Sequence, residues 1–216
     1  MGDLNEYNQC QTQLRELYDL GLGRDSEPEF CAYRILYYVY LSSTRQRHAA
    51  SSMLIAMLRE MQAGRAAGGG GGGGRRGIEH PAVRHALAVR AAVTAVDFRA
   101  FFALYRESPN MGAYLIDPLC DRMRALAVQR ILKACRPTVP TEFVLTELMF
   151  DEEAATAAAG SAAAAAAKIG PDNKGVQVLE RSGIVFSDDR ELIETAKSRF
   201  DASTFSTSEG ERRTLL

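Results

Sequence analysis

FCAYRILYYVYL, residues 30–41, carries one charge, Arg34, in an otherwise apolar and aromatic run. The run is too long for an ordinary strand, and a helix apolar on almost every side is one enclosed by other helices. Ser26 followed by Glu29 predicts a capping box, so the helix is expected from Glu27 to about Ser42. A mainly α fold built around this central segment is the first expectation.

Working outward, residues 4–20 place Tyr7, Cys10, Leu14, Leu17 and Tyr18 along one side of an amphipathic helix, stopped by Gly21-Leu22-Gly23. A third helix over about 46–63 carries Met53, Leu54, Met57, Leu58 and Met61. Gly68 to Gly74 is an unbroken glycine run with too much backbone entropy to hold one conformation, so 65–78 reads as a flexible insertion. Pro81 suits the first turn of the next helix, which continues to Ala95 with Val83, Leu87, Arg90 and Val93 in sequence. Asp97 is placed to cap another that buries Phe98, Phe101, Phe102 and Tyr105. Residues 1–64 and 79–116 therefore read as stacked helical hairpins of a solenoid.

From Met111 to Cys135 the chain reads as helix with a break at Pro118, and Arg136-Pro137 ends it. Pro140 opens a short helix holding Phe143, Val144, Leu148, Met149 and Phe150, and Asp151 is placed to cap a third. An alanine-rich stretch at 154–175 follows, then GIVFS (183–187) and ELIET (191–195) flank Asp188-Asp189-Arg190 as a hairpin does. That order, three helices and then a β-hairpin, predicts a winged helix over 117–200 and a polar tail at 201–216.

With 216 residues, 46% apolar and 25% charged, the chain can bury a sizeable core as one large domain or two small ones. No membrane-spanning run and no basic-then-apolar leader is present in the sequence, which predicts a soluble intracellular protein. Cys10, Cys31, Cys120 and Cys135 contain no CxxC pair, so they read as reduced and buried rather than as a metal site. His80 and His85 are five apart and His48 lies across the glycine run, which predicts surface or capping roles. The glycine run matches GxGxxG only because it matches any glycine pattern, and GxSxG is missing. No enzyme, metal, cofactor or small-molecule substrate is expected.

What remains is surface charge. Residues 61–150 hold 12 basic against 7 acidic residues, +5 in a chain of net charge −1. Arg122, Arg124, Arg130, Lys133 and Arg136 lie along one helix and form a candidate ridge for phosphates, with a solvated helix face as the plainer alternative. Arg181, Arg190, Lys197 and Arg199 are weaker RNA-binding candidates, partly cancelled by Asp188, Asp189, Glu191 and Glu194. Tyr33, Tyr37, Tyr38 and Tyr40 have too many apolar neighbours to read as base-stacking platforms, and are expected in the core.

GDLNEYNQCQTQLRELY (2–18), EFCAYRILYYVYL (29–41), HALAVRAAVTAVDFRAFFALYRESPNMGAYLID (85–117) and ILKACRPTVPTEFVLTELMF (131–150) resemble the Sac-three/GANP/Thp-three family of PCI-domain proteins. Within it they are most similar to the leukocyte-receptor-cluster-member-eight branch. The resemblance implies helical hairpins leading into a winged helix, and a non-catalytic nuclear scaffold for mRNA processing, splicing or export. It further implies RNA binding, pairing with a second PCI-domain protein and a small acidic Sem-type subunit. Tyr33, Arg34, Arg90, Phe101, Phe102, Tyr105, Arg136, Pro137 and Pro140 match the family pattern and are expected to be structural, with Arg34 and Arg90 bonded to neighbouring helix ends. Relatives carry helices upstream of NQCQ, which implies an uncovered apolar face on the first hairpin. The alanine-rich insertion falls where the third winged-helix helix is expected. A protein-only scaffold of the proteasome-lid or signalosome type shares this fold without nucleic acid and is the alternative.

Overall fold

The computed structural model describes residues 4–23, 25–44, 47–66, 77–150 and 173–203. The glycine run, most of the alanine-rich insertion with the expected Asp151 cap, and the tail beyond Ser203 lie outside them. The chain divides into two compact units, Met1–Leu119 and Cys120–Leu216. Among the described residues it is mainly helical with one small sheet.

The first unit holds α1 (Leu4–Asp19), α2 (Glu27–Ser43), α3 (Arg47–Ala66), α4 (Pro81–Ala95) and α5 (Phe98–Arg106), and the first turns of α6 (Gly112–Ala134). The aromatic segment that reads as enclosed is so: α2 packs against α1, α3 and α4, and α4 packs against α5. Ile35, Leu36 and Val39 are buried with Tyr33 and Tyr37, each aliphatic side chain contributing about 1.5–3 kcal/mol by leaving water. Tyr37 meets Tyr7 of α1 at 5.4 Å between ring centroids, and Phe30 meets Tyr33 edge-on at 5.6 Å.

Polar groups complete this core. Arg34 donates through Nε to Gln11 Oε1 at 3.2 Å and through Nη2 to the Gln11 carbonyl at 3.0 Å. Gln11, itself buried, donates on to the Tyr7 hydroxyl at 2.7 Å. Burial pushes the Tyr7 hydroxyl well above its ordinary pKa, so it stays neutral. Replacing Arg34 by alanine leaves two acceptors of Gln11 without these donors. We expect a loss of about 2 kcal/mol, read as a lower urea midpoint at unchanged m.

Several local expectations change. The Ser26 capping box does not form: Ser26 has helical dihedrals and no side-chain cap bond. Glu29 instead accepts from the Tyr33 hydroxyl at 2.5 Å, and that hydroxyl accepts from the Met111 amide at 3.0 Å. The carboxylate that the box needs is taken by a hydroxyl one helical turn on, which the long-range bond from Met111 fixes in place. On α3 the buried stripe is Ala50, Leu54 and Met57, with Met53 54% exposed. On α4 the buried face runs through Val83, Ala86 and Val89, which leaves Arg90 exposed rather than held against a helix end. Asp97 caps α5 through a bond from the Ala100 amide, 3.0 Å, and Phe101 and Phe102 are buried. His80 caps α4, accepting from the Ala82 amide at 3.3 Å, and His85 Nε2 donates to the Leu104 carbonyl at 2.8 Å. Pro118 does not break α6. The helix passes through it because the residue whose carbonyl loses its donor, Tyr114, is 74% exposed and has access to water.

The second unit contains the rest of α6, then β1 (Thr138–Pro140), α7 (Thr141–Glu147), α8 (Lys174–Arg181) and β2 (Leu192–Glu194). Its core draws on every element: Met123, Ala127, Val128 and Ile131 of α6, Val139, Val144, Leu145, Leu148, Val176, Leu179, Ile184 and Ile193. The expected pairing of 183–187 with 191–195 is present in a short form: the Ser187 amide donates to the Leu192 carbonyl at 2.9 Å and the Glu194 amide to the Val185 carbonyl at 2.8 Å, on either side of an antiparallel bridge from Phe186 to Ile193. The longer ladder, which the sequence did not suggest, joins β1 to β2, antiparallel, with Val139 opposite Ile193. Side chains take the backbone groups that a longer hairpin needs. The Leu192 amide donates to Ser187 Oγ at 3.1 Å, the Val185 amide to Ser198 Oγ at 2.9 Å, and the Ser187 hydroxyl to Asp189.

Candidate nucleic-acid interface

The cationic candidates all lie in the second unit, where the structure sorts them by what their charged ends already touch. Arg124 is committed inward. Its Nε donates to the Leu148 carbonyl at 2.9 Å, Nη2 to the Met149 carbonyl at 2.6 Å, and Nη1 to Asp121 at 3.0 Å. The guanidinium also lies 5.2 Å from the centroid of the Phe150 ring. It therefore closes the C-terminal end of α7, where carbonyls have no helical partner, and favours the negative end of the helix dipole. Arg124 is removed from the RNA ridge and placed among the structural residues.

Arg122 is half-buried on the same helix. Arg190 and Lys197 are ion-paired, to Glu180 at 3.0 Å and Glu194 at 2.7 Å. The hydrogen bond to Glu194 raises the Lys197 pKa, and bonds from Ser187 and the Glu191 amide lower that of Asp189, so each stays charged near neutrality. The β-turn region, with Asp188, Asp189, Glu191 and Glu194 against Arg190 and Lys197, is therefore acidic.

Arg130 and Lys133 are exposed in the last turns of α6, and Arg136, expected on the same helix, is exposed just beyond its end at Ala134. Arg130 and Lys133 are three apart and so are neighbours on the helix surface, while the buried Val128 and Ile131 are turned away from them. Arg181 and Arg199 are exposed as well. Sequence reasoning missed Lys174, which opens α8. At about 100° per residue, Lys174, Gln177 and Arg181 share one side of α8, while Val176 and Leu179 are buried on the other. The signal was available in that spacing, but α8 begins at the last two residues of the alanine-rich stretch and its pattern was read as insertion. Its close seating is made by Gly175, where a Cβ would stand 2.5 Å from Phe150 Cβ and 2.8 Å from Leu145 Cδ2.

Of the residues matching the family pattern, Tyr33, Phe101 and Phe102 are buried, and Tyr105 donates to Asp117 at 3.1 Å. The Pro137 carbonyl accepts from the Thr195 amide and hydroxyl at 3.0 and 2.7 Å, and Pro140 directly precedes α7 and faces Leu192 across the ladder. Among the described residues no group of three or more His, Cys, Asp or Glu could hold a metal ion, and no helix is long and apolar enough to cross a membrane.

The SAC3/GANP family profile matches residues 3–165. A THP3 homolog of Schizosaccharomyces pombe is 41% identical over 151 residues, covering 70% of this chain and 33% of that protein. SAC3 family protein A of Arabidopsis thaliana is 39% identical over 71% of this chain and 13% of its own length. A leukocyte receptor cluster member 8 homolog of Xenopus laevis is 36% identical over 70% of this chain and 16% of its own. The chain thus spans a third or less of the curated relatives it matches. No solved structure matches it. A profile match over three quarters of the sequence, with relatives above a third identical, makes the chain a member of the SAC3/GANP family.

Proposed function

We propose that this chain is a non-catalytic PCI-type scaffold of a nuclear mRNA-processing or export complex, in which the second unit is a winged helix that binds RNA. Helical packing in the first unit, followed by α6, β1, α7, α8 and β2, supports that architecture. Pairing with a second PCI-domain protein and a small acidic Sem-type subunit belongs to the same reading and rests on family membership.

The observation that carries RNA binding is the sorting of cations. Arg124, Arg190 and Lys197 are spent within the fold, whereas Lys133, Arg136, Lys174 and Arg181 are presented to solvent, with Arg130 exposed beside Lys133. Phosphate contacts by such residues release counterions, so affinity falls steeply with salt. In the variant Arg130→Ala/Lys133→Ala/Arg136→Ala, the slope of log K against log salt for a single-stranded RNA is expected to flatten by about 2 units. An unchanged slope removes these residues from the interface. The acidic turn at 187–197 favours the protein-only alternative in one respect, since its carboxylates repel phosphate. Co-purification after nuclease treatment separates the two: dissociation of partners is expected if RNA holds the assembly together, and retention of all partners supports the protein-only scaffold.

A further inference from the structure

Leu17, Leu20 and Leu22 are 44%, 76% and 58% exposed at the C-terminal end of α1. The backbone there forms a Schellman turn: Gly21 has φ 84°, its amide donates to the Tyr18 carbonyl at 2.9 Å, and the Leu22 amide donates to the Leu17 carbonyl at 3.0 Å. That motif commonly sets the residue after the turn against the one at Leu17's position, which accounts for Leu17 and Leu22 as a pair. It does not account for Leu20, which stands at the helix end with most of its surface in water.

The knob is held in place from behind. Tyr18 is buried, its ring 6.5 Å from that of Phe30 on α2, and Arg15 is ion-paired to Glu60 of α3 at 2.8 Å. A preorganised apolar projection of this kind loses little conformational entropy on docking. Its surroundings are acidic: residues 15–27 contain Glu16, Asp19, Asp25 and Glu27 against Arg24 and Arg15, and Arg15 is already held by Glu60.

We propose that the Leu17–Leu20–Leu22 knob is a docking surface for a protein partner that presents an apolar groove rimmed by lysine or arginine. Phosphates are repelled by the carboxylates, which excludes nucleic acid as the occupant. A second copy meeting this patch about a two-fold axis brings acidic rim against acidic rim, which is unfavourable. The proposal does not rest on RNA binding by the second unit.

The test is site-specific photo-cross-linking of the full chain in nuclear extract, with p-benzoylphenylalanine replacing Leu20, and replacing the exposed Thr94 of α4 as control. Residue 20 is expected to cross-link a protein at an apolar segment flanked by lysine or arginine, with the control giving no such product. Adding Asp19→Lys is expected to lower the yield about fivefold, the effect of reversing one rim charge. A product with RNA, with this chain itself, or with a segment lacking flanking cations overturns the proposal, as does a yield equal to the control or indifferent to Asp19→Lys. The salt slope of RNA binding is expected to be unchanged in the Leu20 variant, which separates failure here from failure of the RNA reading.

Discussion

Replacing Arg124 by alanine is expected to destabilise the chain by about 3 kcal/mol, while leaving the salt dependence of RNA binding by the folded protein unchanged. The reason is the number of groups that one guanidinium satisfies: two main-chain carbonyls at the end of α7 and the carboxylate of Asp121, in a position where the Arg124 side chain is only 16% exposed. Truncation removes the donors of both carbonyls and an ion partner of Asp121 at once, and the cost of leaving little-exposed acceptors without donors exceeds the modest net value of making those bonds. Lysine in the same place keeps the charge but cannot span the two carbonyls and Asp121 together, so Arg124→Lys is expected to recover less than half of the loss. Urea unfolding of both variants measures this. A loss below about 0.5 kcal/mol for the alanine variant returns Arg124 to the list of surface cations.

Gly183→Ala is expected to cost a similar amount, about 3 kcal/mol or more, for a different reason. Gly183 has φ +83°, and a Cβ there would lie 2.1 Å from the Arg199 carbonyl oxygen. The first feature alone strains any L side chain, and the second is a clash with backbone that no rotamer relieves. The site cannot open cheaply. The Arg199 amide donates to the Gly183 carbonyl at 3.0 Å and the Asp201 amide to the Ser182 carbonyl at 2.8 Å, so this strap holds 182–183 against 199–201. A thermal melt on the full chain reads the effect, and a midpoint within a degree or two of the parent contradicts the packing described.

What could be read from sequence follows from how local its causes are. Pro81 and Asp97 start their helices with groups drawn from the helix itself, so the beginnings of α4 and α5 were legible. The density of apolar side chains in residues 30–41 announced an enclosed α2 without any knowledge of its neighbours. Ser26 failed as a cap because Glu29 is engaged by a Tyr33 hydroxyl that also receives the Met111 amide, 78 residues away in sequence from that tyrosine. β1 was illegible because it is three residues long and prolines supply one of them and its approach, which is a poor strand signal away from a partner. The site divides in the same way. Arg130, Lys133 and Arg136 were picked out by charge and spacing, but nothing in spacing distinguishes them from Arg124. Its partners are main-chain carbonyls 24 and 25 residues on, and these come within reach only once α7 is folded.

The account stands most directly on where RNA touches the protein. Cross-linking of the purified full chain to a single-stranded RNA containing 4-thiouridine, followed by mapping of the modified peptides, answers this in one measurement. Adducts are expected in the peptides covering 129–137 and 174–181, with none in α1. Adducts confined to the first unit, or absent altogether at salt low enough for phosphate contacts to hold, contradict it.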